Sequence, residues 1–145
     1  MRIPKPPKRG PKPRKAIKRG KLAKKPRHSR KKAVLYADSL WSQIVRRREG
    51  GCVSNRPTHA GGFQAAHGFS RRYHATRWNL RNGFKLCQGC HVFFTHRPLE
   101  WEDFLLEALG ELGYIGLRCN ALANERQDLP QITAALEAVL HTGSE

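Results

Sequence analysis

Long apolar segments are missing from this sequence of 145 residues. It has no run of about 18 apolar residues, the length at which a membrane-spanning helix becomes a candidate. Its first residues, MRIPKPPKRG, contain no continuous apolar core of a secretory signal. We therefore expect a soluble protein that is not secreted by the general route and has no membrane partner. Internal repeats are absent too, and the length allows one folded domain at most.

Acidic residues are absent from residues 1–32, which hold 16 Lys or Arg and six of the nine prolines. With so few apolar side chains, burial cannot offset the entropy of ordering this segment. We predict a disordered basic arm over residues 1–32 and a folded body over residues 33–145. The body is nearly balanced in charge, so the arm accounts for almost all of the formal charge of +17. Such a run indicates a nucleic-acid partner, with a merely solvated tail as the alternative.

Apolar periodicity predicts the elements of the body. A helix is expected from Ala33 to Arg48, stopped by Gly50-Gly51, and another from Pro130 onward. Between them we expect strands at about 63–69 and 83–86, a helix from about Gln88 that Pro98 ends, and a helix over 100–109. Together these elements predict an α+β fold.

One segment concentrates chemically active side chains. His67 is followed by Asn82 after 15 residues and by His91 after a further nine, and the last histidine closes the motif Cys87-x-x-Cys90-His91. In this order and spacing, residues from about Leu35 to Trp101 resemble the HNH endonuclease family. The resemblance is to its small phage-type members with a CxxCH motif.

The resemblance implies a ββα-metal (HNH) core with flanking helices and a metal-dependent hydrolase that cleaves DNA phosphodiester bonds, leaving 5′-phosphate and 3′-hydroxyl ends. His67 would be the general base, because an imidazole titrates near neutral pH and can accept a proton from water. Asn82 would orient this base through the backbone, although a turn role in Asn-Gly is an equal alternative. His91 would bind one divalent cation, and Mg, Mn, Ni and Zn remain open.

Cys87 and Cys90 predict half of a structural zinc site that would stabilise so small a body. Zinc-bearing relatives carry a second CxxC pair after the first helix, but the matching stretch here begins at Cys52 and lacks the second cysteine. The remaining ligand would be His59 or Cys119. Buried thiols without metal are the alternative interpretation.

Four arginines lie between the two predicted strands and would hold phosphates without recognising sequence: Arg71, Arg72, Arg77 and Arg81. Tyr73 and Trp78 are interleaved with them and are expected in the core rather than against bases. Nothing resembles a helix-turn-helix or another base-recognising module, so we expect DNA binding of low sequence specificity.

Ala66 departs from the family pattern, in which Asp or His commonly precedes the base as a second metal ligand. A methyl group cannot coordinate a cation, so Gln64, His74 or His96 substitutes, or His91 holds the metal with water and substrate phosphate, or the site is degenerate. One rival is accordingly a non-catalytic nucleic-acid-binding or phage assembly protein on the same scaffold. A second is an RNA-binding zinc-ribbon protein. Phage origin, with the host cytoplasm as location, is implied by the resemblance alone.

Overall fold

A computed structural model of the chain describes residues 27–142; most of the predicted arm, residues 1–26, and residues 143–145 of the predicted body lie outside this range. The order of elements is α1 (Arg27–Arg47), β1 (Phe63–His67), a 3₁₀ turn (Leu80–Asn82), β2 (Gly83–Cys87), α2 (Gln88–Thr95), α3 (Pro98–Ala123) and α4 (Leu129–Thr142). This is the α+β fold that the periodicity predicted, with four helices and one two-stranded sheet among the described residues.

Helix α1 begins before the boundary predicted for the arm, because residues 27–32 are helical. Lys and Arg have good helix propensity, and a helix that is nucleated by buried side chains extends at little cost. The side chains of residues 29–32 are exposed, so tertiary burial does not hold these four residues in the helix. The arm was predicted to be disordered because it has few apolar residues, and that criterion does not detect a helical extension of α1.

The strands β1 and β2 pair antiparallel, with His67 opposite Gly83 and Ala66 opposite Phe84. The first strand ends two residues earlier than predicted, because the backbone of Phe69 is bound by the side chain of Asn82 instead of the neighbouring strand. Helix α2 follows β2 without a loop. Cys87 caps it through a sulfur that accepts from the backbone N–H of Cys90.

Two hydrophobic clusters hold the fold, one on each face of β1. Ala66 belongs to a cluster with α2 and α3, while its neighbour Ala65 packs against a cluster formed by α1 and α4. This alternation is the ordinary geometry of a strand. Gly83 lets α1 approach the sheet, because a Cβ there would lie 2.5 Å from Cγ2 of Val45 and 2.8 Å from the ring of Trp41.

Helix α3 is much longer than the predicted 100–109 and is interrupted at Gly110, whose φ of 69° and ψ of 160° are not helical. Pro98 was expected to end α2, but it lies in the first turn of α3, where its missing N–H leaves no hydrogen bond unmade. The second half of α3 carries Cys119, which is exposed. No helix among the described residues has both the length and the apolar character needed to cross a membrane.

Candidate active site and metal centre

Four side chains from two stretches of the chain, the connection between α1 and β1 and the junction of β2 with α2, meet in one cluster: Cys52, His59, Cys87 and Cys90. Their ligand atoms all lie within 4.8 Å of one another, and Nδ1 of His59 is 3.7 Å from Sγ of Cys87 and 3.4 Å from Sγ of Cys90. Tetrahedral zinc with ordinary Zn–S and Zn–N bonds places its ligands roughly 3.5–3.8 Å apart. The donor set and its spacing therefore fit a structural metal such as zinc, and the exposed Cys119 is not part of the set.

Backbone N–H groups favour the thiolate of Cys87. Burial acts against the charged form, but hydrogen bonds from the backbone of Cys90 and Ala60 lower the pKa of Cys87 to about 6. Burial raises the pKa of Cys90. Because zinc binds thiolates, loading the cluster would release a proton from Cys90 at neutral pH.

Asn82 is fully buried and clamps the connection between the strands. Its Nδ2 donates to the carbonyl of Phe69 at 3.0 Å and to that of Thr76 at 2.9 Å, while Oδ1 accepts from the N–H of Phe69 at 2.7 Å. The backbone N–H of Gly68 donates to the carbonyl of Asn82. Asn82 therefore fixes both ends of the segment 69–76, immediately before the residue whose carbonyl contacts His67.

His67 ends β1 with its ring stacked on Trp41 at a centroid distance of 3.8 Å and an interplanar angle of 16°. Its Nε2 lies 2.9 Å from the carbonyl oxygen of Arg77. A carbonyl only accepts, so Nε2 carries the proton and Nδ1 keeps its lone pair. Burial lowers the pKa of His67 to about 4, although the hydrogen bond to Arg77 acts in the opposite direction. The ring is therefore neutral at neutral pH.

Asp38 on α1 fixes the residue that His67 contacts. It accepts from Nε of Arg77 at 2.9 Å, from Nη2 of Arg77 at 2.6 Å and from Nε1 of Trp78 at 2.8 Å. Burial alone would raise the pKa of Asp38, but these hydrogen bonds hold it below its usual value. Sequence reasoning missed this part of α1. Asp38 and Trp41 share a helix face by their spacing, but no local signal shows which loop they meet.

His91 lies in α2 with Nδ1 2.5 Å from Oε1 of Gln64. An amide oxygen accepts, so Nδ1 donates and Nε2 keeps the free lone pair. Gln64, which was one of the predicted substitutes for a metal ligand at position 66, instead orients the imidazole of His91. This contact is typical of the support that a metal-binding histidine receives from its second nitrogen.

The two histidines line the same open cleft. One part of it, about 680 Å³, also contains Ala66, Thr95 and Trp101, and the adjoining part, about 310 Å³, contains Asp38 and Trp41. Both parts share His67, Ser70 and His91.

The predicted phosphate-binding arginines separate into two groups. Arg72 lines the larger part of the cleft and Arg71 the smaller part, and both are exposed. Arg77 is engaged by Asp38 with only 18% of its side chain exposed, and Arg81 lines another cavity beside Arg48 and Leu109. Two of the four therefore line the cleft, and the other two do not. Trp78 is buried in the core, as expected.

Ala66 is 3% exposed and lies between the core and the cleft. None of its three predicted substitutes takes its place. His74 lines a different cavity and His96 is exposed at the end of α2, while Gln64 is bound to His91. Thr95 reaches the cleft, but its hydroxyl donates to the carbonyl of His91 at 2.8 Å.

Comparison of the chain with family models, with curated proteins and with solved structures gives no match. Fold and site define an α+β protein with a Cys₃His cluster that could hold zinc. The same part of the chain forms a cleft whose two histidines each have one ring nitrogen in a hydrogen bond and one without a hydrogen-bond partner among residues 27–142.

Proposed function

We propose that the chain is a metal-dependent endonuclease of the HNH type that hydrolyses DNA phosphodiester bonds. One observation carries the proposal: the two cleft histidines are held in complementary states. His67 is neutral, with Nε2 bound to a carbonyl and Nδ1 free, as a general base requires. His91 has Nδ1 bound to an amide oxygen and Nε2 free, as a metal ligand requires.

The scaffold supports the same assignment. The order β1, clamped loop, β2 and α2 is the order expected of a ββα-metal core, with the predicted base at the end of the first strand and the predicted metal ligand in the helix. Asn82 agrees with a positioning role, since its amide fixes the loop backbone that leads to the carbonyl bound by His67. The Cys₃His cluster includes Cys87 at the last residue of β2, whereas His67 pairs with Gly83 at its first residue, so the cluster would fix the strand end away from the predicted base.

In the proposed reaction, Nδ1 of His67 takes a proton from a water molecule while the oxygen of that water attacks phosphorus. The new P–O bond forms while the bond from phosphorus to the 3′ oxygen breaks, giving a 5′-phosphate and a 3′-hydroxyl once that oxygen gains a proton from solvent. A divalent cation on Nε2 of His91 would supply positive charge to the leaving oxygen. Arg71 and Arg72 would hold neighbouring phosphates in the cleft.

The cation site would be weak without DNA. His91 gives a single protein ligand, and the buried methyl of Ala66 gives none, so water and a substrate phosphate would complete the coordination. Mg, Mn, Ni and Zn all remain candidates for this position.

Because the methyl group of Ala66 supplies no metal ligand, a second candidate function is DNA binding without catalysis on this scaffold. A nicking assay on supercoiled plasmid separates the two. We expect nicking with at least one of Mg, Mn, Ni, Co or Zn and none with EDTA. If no metal supports nicking and Ala66→Asp is equally inert, the binding function replaces the catalytic one.

The pH profile tests the assigned state of His67. A free histidine would protonate as the pH falls through about 6.5, but the lowered pKa of about 4 keeps His67 neutral well below that value. We expect kcat/KM for nicking to stay level between about pH 5.5 and 7.5 and to fall only on approach to the lowered pKa. A decline centred near 6.5 that persists when the exposed histidines His96 and His141 are replaced would contradict this assignment.

The basic arm is expected to supply most of the salt dependence of DNA binding. If ~6 arm cations meet phosphates, affinity falls by about 10³-fold between 50 and 200 mM salt, and deletion of residues 1–26 should abolish most of that fall. The deletion spares α1, which begins at Arg27. Fluorescence anisotropy with a labelled duplex measures both slopes. Equal slopes would assign the arm to another partner.

A further inference from the structure

A second, smaller cavity lies beside the N-terminal half of α1. Its volume is about 90 Å³, and its lining is Arg30, Val34, His74, Arg77, Trp78, Arg126, Gln127 and Leu129. Three arginines and a histidine are thus among the residues around a space well below the roughly 300 Å³ at which drug-sized ligand pockets begin. Only a single small group fits there.

The charges around this cavity are not balanced within the described chain. Arg77 is neutralised by Asp38, but neither Arg30 nor Arg126 has a carboxylate within 4.0 Å among residues 27–142. Arg30 and Arg126 are exposed, so solvent screens part of their repulsion, but guanidinium groups keep their charge near neutral pH and an anion between them would reduce the repulsion further. The lining therefore favours an anionic ligand.

The walls of the cavity are held in place by hydrogen bonds that do not use its cations. Oδ1 of Asn124 accepts from the N–H of His74 at 2.5 Å, and Nε2 of Gln127 donates to the carbonyl of Ala75 at 2.6 Å. These contacts fasten the segment after α3 to the loop between the strands. Arg126 is therefore carried on a fixed support, which reduces the entropy lost when it binds a ligand.

The cavity is aligned with the cleft. Arg30, Val34 and Asp38 are spaced by four residues and share one face of α1, and Asp38 lines the part of the cleft that contains His67. Eight helical residues span about 12 Å. The rise of a DNA strand along the duplex axis is about 3.4 Å per nucleotide, so for a duplex that lies along α1 this distance corresponds to three or four nucleotides.

We propose that this cavity is a phosphate subsite, which binds one backbone phosphate of the DNA strand three or four nucleotides from the bond that faces His67 and His91. The proposal rests on the proposed function. Arg30 and Arg126 would hold the phosphate oxygens through paired N–H groups, without recognising the base. The subsite lies at the end of α1 from which the basic arm leads, so it would join the arm and the cleft into one track along the strand.

The test measures DNA binding by the full chain. All variants also carry His67→Gln, so that the DNA is not cleaved during the measurement. The double variant Arg30→Ala/Arg126→Ala is compared with Arg47→Ala/Arg118→Ala, which removes the same charge from exposed positions of α1 and α3. We expect the first pair to weaken binding of a labelled duplex roughly tenfold more than the second. Its salt slope should also be smaller by about 0.9, the value for one phosphate contact.

Equal affinities and equal slopes for the two double variants would overturn the subsite, even if the parent nicks plasmid. A specific loss in the first pair supports it, even if the parent nicks nothing and the nuclease proposal fails. The phosphate bound in this cavity could come from the DNA backbone or from free inorganic phosphate. A binding titration with inorganic phosphate alone distinguishes the two. If inorganic phosphate binds the parent through these arginines while their removal leaves duplex affinity at the control value, the cavity serves free phosphate and the proposal is wrong.

Discussion

Replacement of Cys87 by serine is expected to abolish zinc binding and to unfold much of the chain. The four ligands join the irregular segment between α1 and β1 to the end of β2 and the start of α2. Structural zinc in small domains has an apparent binding free energy of about 10–16 kcal/mol. That is comparable to the total stability of about 5–15 kcal/mol of an ordinary domain. Zinc content by mass spectrometry and thermal unfolding by circular dichroism measure both effects.

Cys119→Ser is the matched control, because this cysteine is exposed and lies outside the cluster. It should leave zinc content and Tm at the parent values. EDTA should lower the Tm of the parent and of Cys119→Ser alike, but should leave the circular dichroism spectrum of Cys87→Ser unchanged. A parent that purifies without zinc and whose Tm ignores chelators would show that the cluster is a set of buried thiols.

Replacement of His67 by glutamine is expected to lower the rate of DNA cleavage by about 10²–10⁴-fold, the usual contribution of a general base. Glutamine can still donate an N–H to the carbonyl of Arg77, but it cannot take a proton from water. Folding and DNA affinity should therefore change little. Both glutamine and alanine remove the ring that stacks on Trp41, but alanine also loses the hydrogen bond to Arg77 and most of the side-chain volume, so His67→Ala would confuse catalysis with packing more strongly.

His141→Gln provides the comparison, since this histidine is exposed near the end of α4. Its cleavage rate, Tm and duplex affinity should equal those of the parent. If His67→Gln cuts as fast as His141→Gln under single-turnover conditions, His67 is not the base. A rate lost together with the Tm would assign His67 to the fold instead.

Local signals accounted for most of the elements. Apolar periodicity located α1 and α4, and the strand boundaries were close because Gly83 and the Cys87 cap are local features. The length of α3 was missed because Gly110 reads as a stop in sequence. In the structure Gly110 is a non-helical kink, and a second helical stretch begins directly after it. The helix propensities of the residues around a glycine do not show whether the helix continues beyond it.

The metal ligands were predictable to the extent that they are close in sequence. Cys87 and Cys90 form one motif, whereas His59 was the favoured candidate for the remaining position with Cys119 as the alternative, and the path of the loop brings His59 into the cluster. Contacts between residues far apart in the sequence could not be predicted. Asp38 binds Arg77, the residue whose carbonyl contacts His67, across 39 residues, and helical periodicity does not identify such a partner.

Helices α1 and α4 share one core although they stand far apart in the chain. Leu136 is packed in the same cluster as Trp41, and the hydroxyl of Tyr36 donates to Glu137 at 2.7 Å. At a translation rate of about 5–20 residues per second, Leu136 is synthesised roughly 5–20 s after Trp41. During that interval the indole that stacks on His67 has no completed core behind it. A nascent chain therefore completes the packing around Trp41 only after α4 has been synthesised, even if the sheet and α2 are already formed.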